Sequence, residues 1–122
     1  MIVVVREYLD AKGASTFARW FDELDTPAAA KVATALYRLE KGNFSTVKGV
    51  GGGVYECKIN FGPGYRVYFG KDGDELIILL GGGSKKRQDT DIPKALACWQ
   101  DYKKRKLREV APWRLQKDLE QP

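Results

Sequence analysis

The 122-residue sequence contains no histidine. This absence excludes a Ser-His-Asp triad, general-base catalysis by histidine and ligation of a metal ion by histidine. There are only two cysteines, Cys57 and Cys98, and their separation fits neither a CxxC redox pair nor a zinc site. We interpret both as buried thiols in a reducing compartment. Acidic residues do not cluster at a metal-binding spacing either, so the sequence predicts no metal site.

Long apolar runs are missing as well. The apolar stretch Leu76–Leu80 is far too short to cross a bilayer, and the N-terminus shows neither a basic leader nor a small-residue cleavage site. Two Gly-Gly-Gly runs, at 51–53 and 81–83, match neither a Walker loop nor a dinucleotide-binding fingerprint. We therefore expect a single cytoplasmic domain without a membrane segment or a small-molecule cofactor.

Positive charge is concentrated in the last third of the chain. The net charge is +5, yet residues 1–83 hold ten Lys/Arg and ten Asp/Glu. Residues 84–122 hold eleven Lys/Arg and six Asp/Glu, and so carry the whole excess. A segregated basic excess is typical of proteins that bind a polyanion, although a solvated helix face produces the same pattern.

Hydrophobic periodicity and turn residues predict the element order β-α-α-β-β-β-α. Ser15 is suited to cap the first helix, and Thr26 with Pro27 is suited to start the second, which we expect to stop at Gly42. Residues 43–53 contain four glycines and are predicted to be a linker. The predicted elements are a strand at 2–8, helices at 16–24 and 26–41, strands at 54–61, 65–70 and 75–80, and a helix that begins between Asp89 and Asp91.

This order predicts an α+β fold in which a small, mainly antiparallel sheet carries a helical hairpin on one face. The other face is expected to stay open to a ligand. The strand at 75–80 is almost wholly apolar, which favours a central position in the sheet. From Lys103 onward the sequence becomes strongly basic, so we divide the chain into a domain at 1–102 and a C-terminal extension at 103–122.

Cations in the predicted sheet indicate the type of ligand. Alternation along two neighbouring strands puts Lys58 on one face of the first and Arg66 with Tyr68 on one face of the second. If these faces coincide, the sheet presents two cations and a phenol, and cations of the flanking loops could converge at its rim: Lys48, Lys85 and Lys86. Such a cluster can bind a phosphate and stabilise the charge of a pentacovalent phosphorane. A lysine among other cations has a lowered pKa and could act as a general base toward a ribose 2′-hydroxyl.

Plainer interpretations of the same residues stay open. Arg66 could form an ion pair with Glu56, Tyr68 could be a packing aromatic, and the basic loop Lys85–Arg87 could serve solubility alone. The residues by themselves therefore predict a basic domain that binds nucleic acid, and they do not decide whether it is an enzyme.

Two segments of the chain resemble the signatures of a known superfamily. Residues 54–69, which read VYECKINFGPGYRVYF, resemble the core signature of the RelE/ParE toxins. Residues 79–92, which read LLGGGSKKRQDTDI, resemble the second signature of the phage-related addiction module killer protein branch, close to HigB-type toxins. The resemblance covers residues 1 to about 102.

The resemblance implies the toxin of a type II toxin–antitoxin pair, neutralised by a small helix-turn-helix antitoxin. RelE-like members are metal-independent endoribonucleases that cut mRNA on the ribosome through attack by the 2′-hydroxyl. It implies that Arg66 contacts the phosphate and the transition state, and that Lys58 and Lys85 or Lys86 supply base or charge. The resemblance and the basic loop also imply that five further residues bind RNA: Lys48, Tyr68, Arg87, Gln88 and Tyr102. Tyr102 is the candidate for the catalytic C-terminal tyrosine that some members of the superfamily have.

Two other functions remain open for such a chain. One is inhibition of DNA gyrase in the manner of ParE, without ribonuclease chemistry. The lysines and Arg66 favour the ribonuclease, because ParE-like gyrase inhibitors typically lack the catalytic cations. The other is a degenerate toxin kept as a binding module.

Overall fold

The computed structural model describes residues 2–110, with the side chain of residue 110 left out. Five strands and three helices follow one another in the order β-α-α-β-β-β-β-α. The strands are β1 (Val4–Glu7), β2 (Val47–Gly51), β3 (Val54–Ile59), β4 (Tyr65–Lys71) and β5 (Leu76–Ser84). The helices are α1 (Thr16–Asp22), α2 (Thr26–Glu40) and α3 (Gln88–Val110), and a 3-10 turn, Lys85–Arg87, connects β5 to α3.

All five strands form one sheet in the order β1-β5-β4-β3-β2. Only the β1–β5 pair is parallel, and the three other pairs are antiparallel. The predicted α+β fold with a mainly antiparallel sheet is therefore confirmed. The apolar strand β5 lies inside the sheet between β1 and β4, as its composition predicts.

Local capping defines the helical hairpin. The Ser15 hydroxyl accepts a hydrogen bond from the amide of Ala18 at 2.9 Å, which confirms it as the N-cap of α1. At α2 the Asp25 carboxylate accepts from the amide of Ala28 at 2.9 Å, so the N-cap lies one residue before the predicted Thr26. After α2 the chain turns at Gly42, whose φ of 82° is the left-handed conformation that glycine adopts most readily.

The predicted linker at 43–53 contains a strand that sequence patterns missed. Val47–Gly51 pairs with β3 through backbone hydrogen bonds and forms one edge of the sheet. Its glycines hide the alternation on which strand prediction depends. Strand β5 is also longer than predicted, because the run Gly81–Gly83 continues it alongside β4.

Helices cover both faces of the sheet, which corrects the prediction of an open face. One core lies between the sheet and the α1–α2 hairpin, and a second lies between the opposite face and α3. Trp99 of α3 packs directly against the backbone of Gly70 in β4, where any Cβ would overlap the indole ring. The absence of a side chain at Gly70 thus allows α3 to approach the sheet closely.

Helix α3 extends further than the predicted domain boundary at residue 102. It continues to Val110, so the first part of the predicted extension 103–122 is helical, and residues 111–122 lie outside the described range. The Tyr102 hydroxyl donates to Asp72 at 2.5 Å, and Lys106 forms an ion pair with the same carboxylate. No helix in the described part of the chain is long and apolar enough to span a membrane.

Candidate functional site

The pairing of β3 with β4 determines which side chains meet on the face toward α3. Lys58 lies directly opposite Arg66, and Glu56 lies opposite Tyr68. On the other side of β3, Lys48 lies opposite Glu56. Opposed residues of antiparallel strands point to the same face with Cβ atoms about 5 Å apart. Lys58, Arg66 and Tyr68 therefore share one face, which fulfils the condition that alternation within each strand had left open.

Burial separates these residues into two groups. Arg66 is 6% exposed and Tyr68 is 1% exposed, because α3 covers this part of the sheet. Tyr68 is accordingly a packing residue of the second core rather than a phenol on an open surface. Lys48 and Lys58 are exposed, since they lie toward the β2 edge. Of the predicted site cations on the sheet, the two lysines are thus the ones that solvent and ligand can reach.

A buried carboxylate holds Arg66 in place. Glu56 is 2% exposed, and its Oε2 lies 3.8 Å from Nε of Arg66. The same oxygen accepts a hydrogen bond from the Gln88 amide at 2.9 Å, while Nη1 of Arg66 donates to the Tyr65 carbonyl at 3.1 Å. The ion pair between Arg66 and Glu56, which the sequence left open as an alternative, is present.

The 3-10 turn brings a further cation to the end of Arg66. The Lys85 amide donates to the carbonyl of Gly64 at 2.9 Å and so ties the turn to the β3–β4 hairpin. The position that a Cβ would occupy on Gly64 lies 3.4 Å from Cβ of Lys85 and 4.0 Å from Nη1 of Arg66. Lys85, Lys86 and Arg87 are all exposed. Lys58, Arg66 and Lys85 therefore form one cationic cluster, which we call the cation site. Lys86 and Arg87 follow Lys85 in the turn, and Arg87 lines a different cavity, between α1 and α3.

Gln88 and Tyr102 have different surroundings from those that the sequence suggested. Gln88 opens α3 and contributes its amide to the buried Glu56 rather than to an open surface. Tyr102 lies fourteen residues further along the same helix, which corresponds to about 20 Å at 1.5 Å per residue. Its hydroxyl is bonded to Asp72 and its ring stacks on Trp99, so the structure does not bring it to the cation site.

Two acidic residues surround the hydroxyl of Tyr68. Burial is the main cause that raises the pKa of Tyr68 to about 12; the nearby carboxylates of Glu56 and Asp91 contribute to this shift, and Arg66 acts in the opposite sense. The hydroxyl has no hydrogen-bond partner among the described residues. The Tyr68 hydroxyl is therefore neutral at physiological pH and adds no charge to the site.

Sequence reasoning underestimated Glu56 and missed Asp91. The Asp91 carboxylate lies directly over the backbone of Gly83, where a Cβ would overlap it. Two features of the sequence pointed to them: Glu56 is an acidic residue inside a strand, and Gly83 is a glycine that pairs with Arg66. Neither feature can be interpreted until the strand register is known. Glu56 balances and orients Arg66 on the buried side of the site, whereas Oδ2 of Asp91 is buried and has no hydrogen-bond partner among the described residues.

The arrangement is suited to bind an anion. Within residues 2–110 none of the exposed cations of the cation site, nor Lys48, takes part in an ion pair. The same residues contain no group of three or more Cys, Asp or Glu side chains that could hold a metal ion. Lysine and arginine side chains donate to phosphate oxygens, so the chemistry available here is phosphate binding and charge stabilisation.

Comparison with known proteins identifies the family of the chain. Residues 19–98, which include the cation site, match the family of phage-derived Gp49-like proteins (DUF891). An uncharacterized protein of Haemophilus influenzae is 41% identical over 94 residues, which cover 76% of this chain and 95% of that protein. The chain therefore belongs to the Gp49-like family, a toxin-like addiction-module family related to RelE and HigB.

Proposed function

We propose that this chain is the toxin of a type II toxin–antitoxin pair and acts as a metal-independent, ribosome-dependent mRNA endoribonuclease in the cytoplasm. Membership of the Gp49-like family supports the toxin and implies an antitoxin as partner. The observation that carries the ribonuclease is the convergence of Lys58, Arg66 and Lys85 at one point of the surface.

The proposed reaction uses the cation site without a cofactor. A lysine removes the proton of the ribose 2′-hydroxyl, and the oxygen attacks the adjacent phosphorus. The bond from phosphorus to the 5′-oxygen breaks, and the leaving oxygen takes a proton from a second cationic group. The products are a 2′,3′-cyclic phosphate and a 5′-hydroxyl. Negative charge on the phosphoryl oxygens grows during the attack, and fixed cations stabilise it.

We assign a role to each side chain of the site according to its exposure. Lys58 lies opposite Arg66 on β3, and Lys85 follows β5 on the other side of β4. Both lysines are exposed, so we assign them the direct contacts to the phosphate and the two proton transfers. Arg66 is 6% exposed and held by Glu56, and we assign it the fixed positive charge that supports both lysines. This assignment differs from the expectation that Arg66 makes the main contact.

Neutralising the two lysines tests the proposal. We expect K58Q/K85Q to lower the rate of cleavage by at least about 10²-fold, the cost of losing one charge-stabilising donor. Both side chains are exposed, so the thermal midpoint should stay near that of the wild type. The matched control is K12Q/K41Q, which removes the same charge from exposed lysines outside the cation site.

The assay is expression of the chain without its partner, followed by mapping of new 5′ ends in translated mRNA. Cleavage in phase with codons is expected for the wild type and for K12Q/K41Q, and it should be weaker in K58Q/K85Q. Growth arrest with intact transcripts would overturn the proposal, and a DNA-damage response in the same cells would favour inhibition of gyrase. Absence of growth arrest would favour a degenerate toxin.

A further inference from the structure

A second cationic surface lies beyond Lys58 on the α2 side of the sheet edge. It is a groove of about 290 Å³ between α2 and the start of the β2–β3 region. Three cations line it, Lys31 and Arg38 from α2 and Lys58 from β3, and no aspartate or glutamate does. We call this surface the α2 groove. Its charge is positive throughout, which is the first requirement for holding a polyanion.

The cations of the α2 groove are available to a ligand. Lys31 and Arg38 are exposed, and within residues 2–110 neither forms an ion pair. They lie seven residues apart on the same face of α2, about 10 Å along the helix axis. Lys31 also lies over the Phe61 ring, with Nζ 5.6 Å from the centroid. The spacing allows contacts to two separate phosphates rather than to one.

The rest of the lining is polar. Amides and hydroxyls that can donate to phosphate oxygens or to a ribose come from Asn43, Ser45, Thr46 and Asn60. Ala35 and Ile59 are the apolar residues of the lining. A stable protein interface needs an apolar centre that this groove does not offer, so an acidic protein segment is a poorer match than RNA.

Lys58 connects the α2 groove to the cation site. It borders the groove at the end of β3, while its side chain points to the opposite face of the sheet, where it lies beside Arg66. The groove and the cation site therefore lie on opposite faces of the sheet and meet at the end of β3, where β2 begins only at Val47, opposite Cys57. An RNA strand with one phosphate at Lys58 could continue into the α2 groove, whose lining contains no carboxylate. We propose that the α2 groove binds the sugar-phosphate backbone of single-stranded RNA next to the bond that the cation site cleaves. This inference rests on the proposed function and adds a binding site to it.

The test is the salt dependence of RNA binding by the full chain. The probe is a single-stranded oligoribonucleotide with 2′-O-methyl groups, which cannot undergo attack by its own 2′-hydroxyl. Each phosphate contact to a single strand contributes about 0.7 to the slope of log K against log salt. We expect K31Q/R38Q to lower the magnitude of that slope by about 1.4, because two contacts are lost. Glutamine has nearly the helix propensity of lysine and arginine, so α2 should stay folded.

The matched control is again K12Q/K41Q, in which Lys41 belongs to the end of the same helix but does not line the groove. It should change the slope by less than half as much. Equal slopes for the two double variants would overturn the inference, and so would a wild type that shows no salt-dependent binding at low ionic strength. Unchanged thermal midpoints exclude unfolding as the cause of a change.

The cleavage assay separates this inference from the proposed function. If the wild type cleaves mRNA on ribosomes while both double variants show equal slopes, only the α2 groove is refuted. If the wild type does not cleave but K31Q/R38Q shows the lower slope, the proposed function fails and the groove as an RNA-binding surface stands.

Discussion

Removing the charge of Glu56 should destabilise the fold through Arg66. In E56Q the shape is kept and Gln88 still finds an acceptor, but a guanidinium that is 6% exposed loses its carboxylate. Breaking a buried ion pair costs about 3–5 kcal/mol of the free energy of unfolding. The Nε–Oε2 distance of 3.8 Å is longer than a hydrogen bond, and Arg66 keeps its bond to the Tyr65 carbonyl, so we expect a cost near the lower limit.

The second arm of the experiment removes the partner as well. R66M alone leaves Glu56 buried without a countercharge and should cost a similar amount. The double variant E56Q/R66M leaves no uncompensated charge, and we expect it to lie within about 1 kcal/mol of the wild type. The two single effects would then fail to add, and the difference measures the coupling between the charges.

Urea unfolding of the full chain, followed by tryptophan fluorescence, gives these numbers. Trp99 belongs to the core beneath α3, and Trp20 packs against the core beneath the hairpin, so both report on the native state. For an m-value of about 2 kcal/mol/M, a loss of about 3 kcal/mol lowers the midpoint by about 1.5 M. A cost below about 1 kcal/mol for E56Q would refute the buried ion pair, and so would single effects that simply add in the double variant.

Two further predictions test the packing of α3 and the ionisation of the tyrosines. G70A should lower the free energy of unfolding by about 1–3 kcal/mol, because the new methyl group overlaps the Trp99 ring. The matched control is G49A, because a Cβ on exposed Gly49 would meet only the Tyr55 ring, at the ordinary contact distance of 3.9 Å. Equal stabilities of G70A and the wild type in urea would contradict the close approach. Burial raises the pKa of Tyr8, Tyr68 and Tyr102 to about 12 from an ordinary value of 10, so the stability that they contribute is complete below pH 10 and is lost as the pH rises toward 12. In an ultraviolet titration, some tyrosines should ionise near pH 10, and the buried ones should ionise at higher pH, together with unfolding. A single transition near pH 10 in the folded protein would be inconsistent with this.

Local signals in the sequence were enough to predict much of the fold. Capping by Ser15, the stop at Gly42 and the apolar composition of β5 each depend on neighbouring residues, and the structure confirms them. Strand β2 could not be predicted in this way, because Val47–Gly51 owes its conformation to pairing with β3 rather than to its own side chains.

The burial of the candidate site depended on information that the sequence does not carry locally. Alternation correctly placed Arg66 and Tyr68 on one face of β4, but it left open whether Lys58 shares that face and could not show that α3 packs on it. The deciding contact is between Trp99 and Gly70, two residues far apart in the sequence, and a glycine in a strand suggests close approach without naming the partner. Predicting exposure therefore required the tertiary arrangement of the helices.

The burial of Arg66 has a consequence for how the site can work. A flexible arginine on an open sheet would lose side-chain entropy each time it bound a phosphate, at a cost of up to about 2 kcal/mol. Glu56 and Tyr65 hold this guanidinium in position before any ligand arrives, so that cost is met during folding. Charge that is fixed in advance stabilises a transition state more effectively than charge that must reorganise. The ion pair that first seemed to argue against a role for Arg66 is thus compatible with one, provided that the exposed lysines make the contacts.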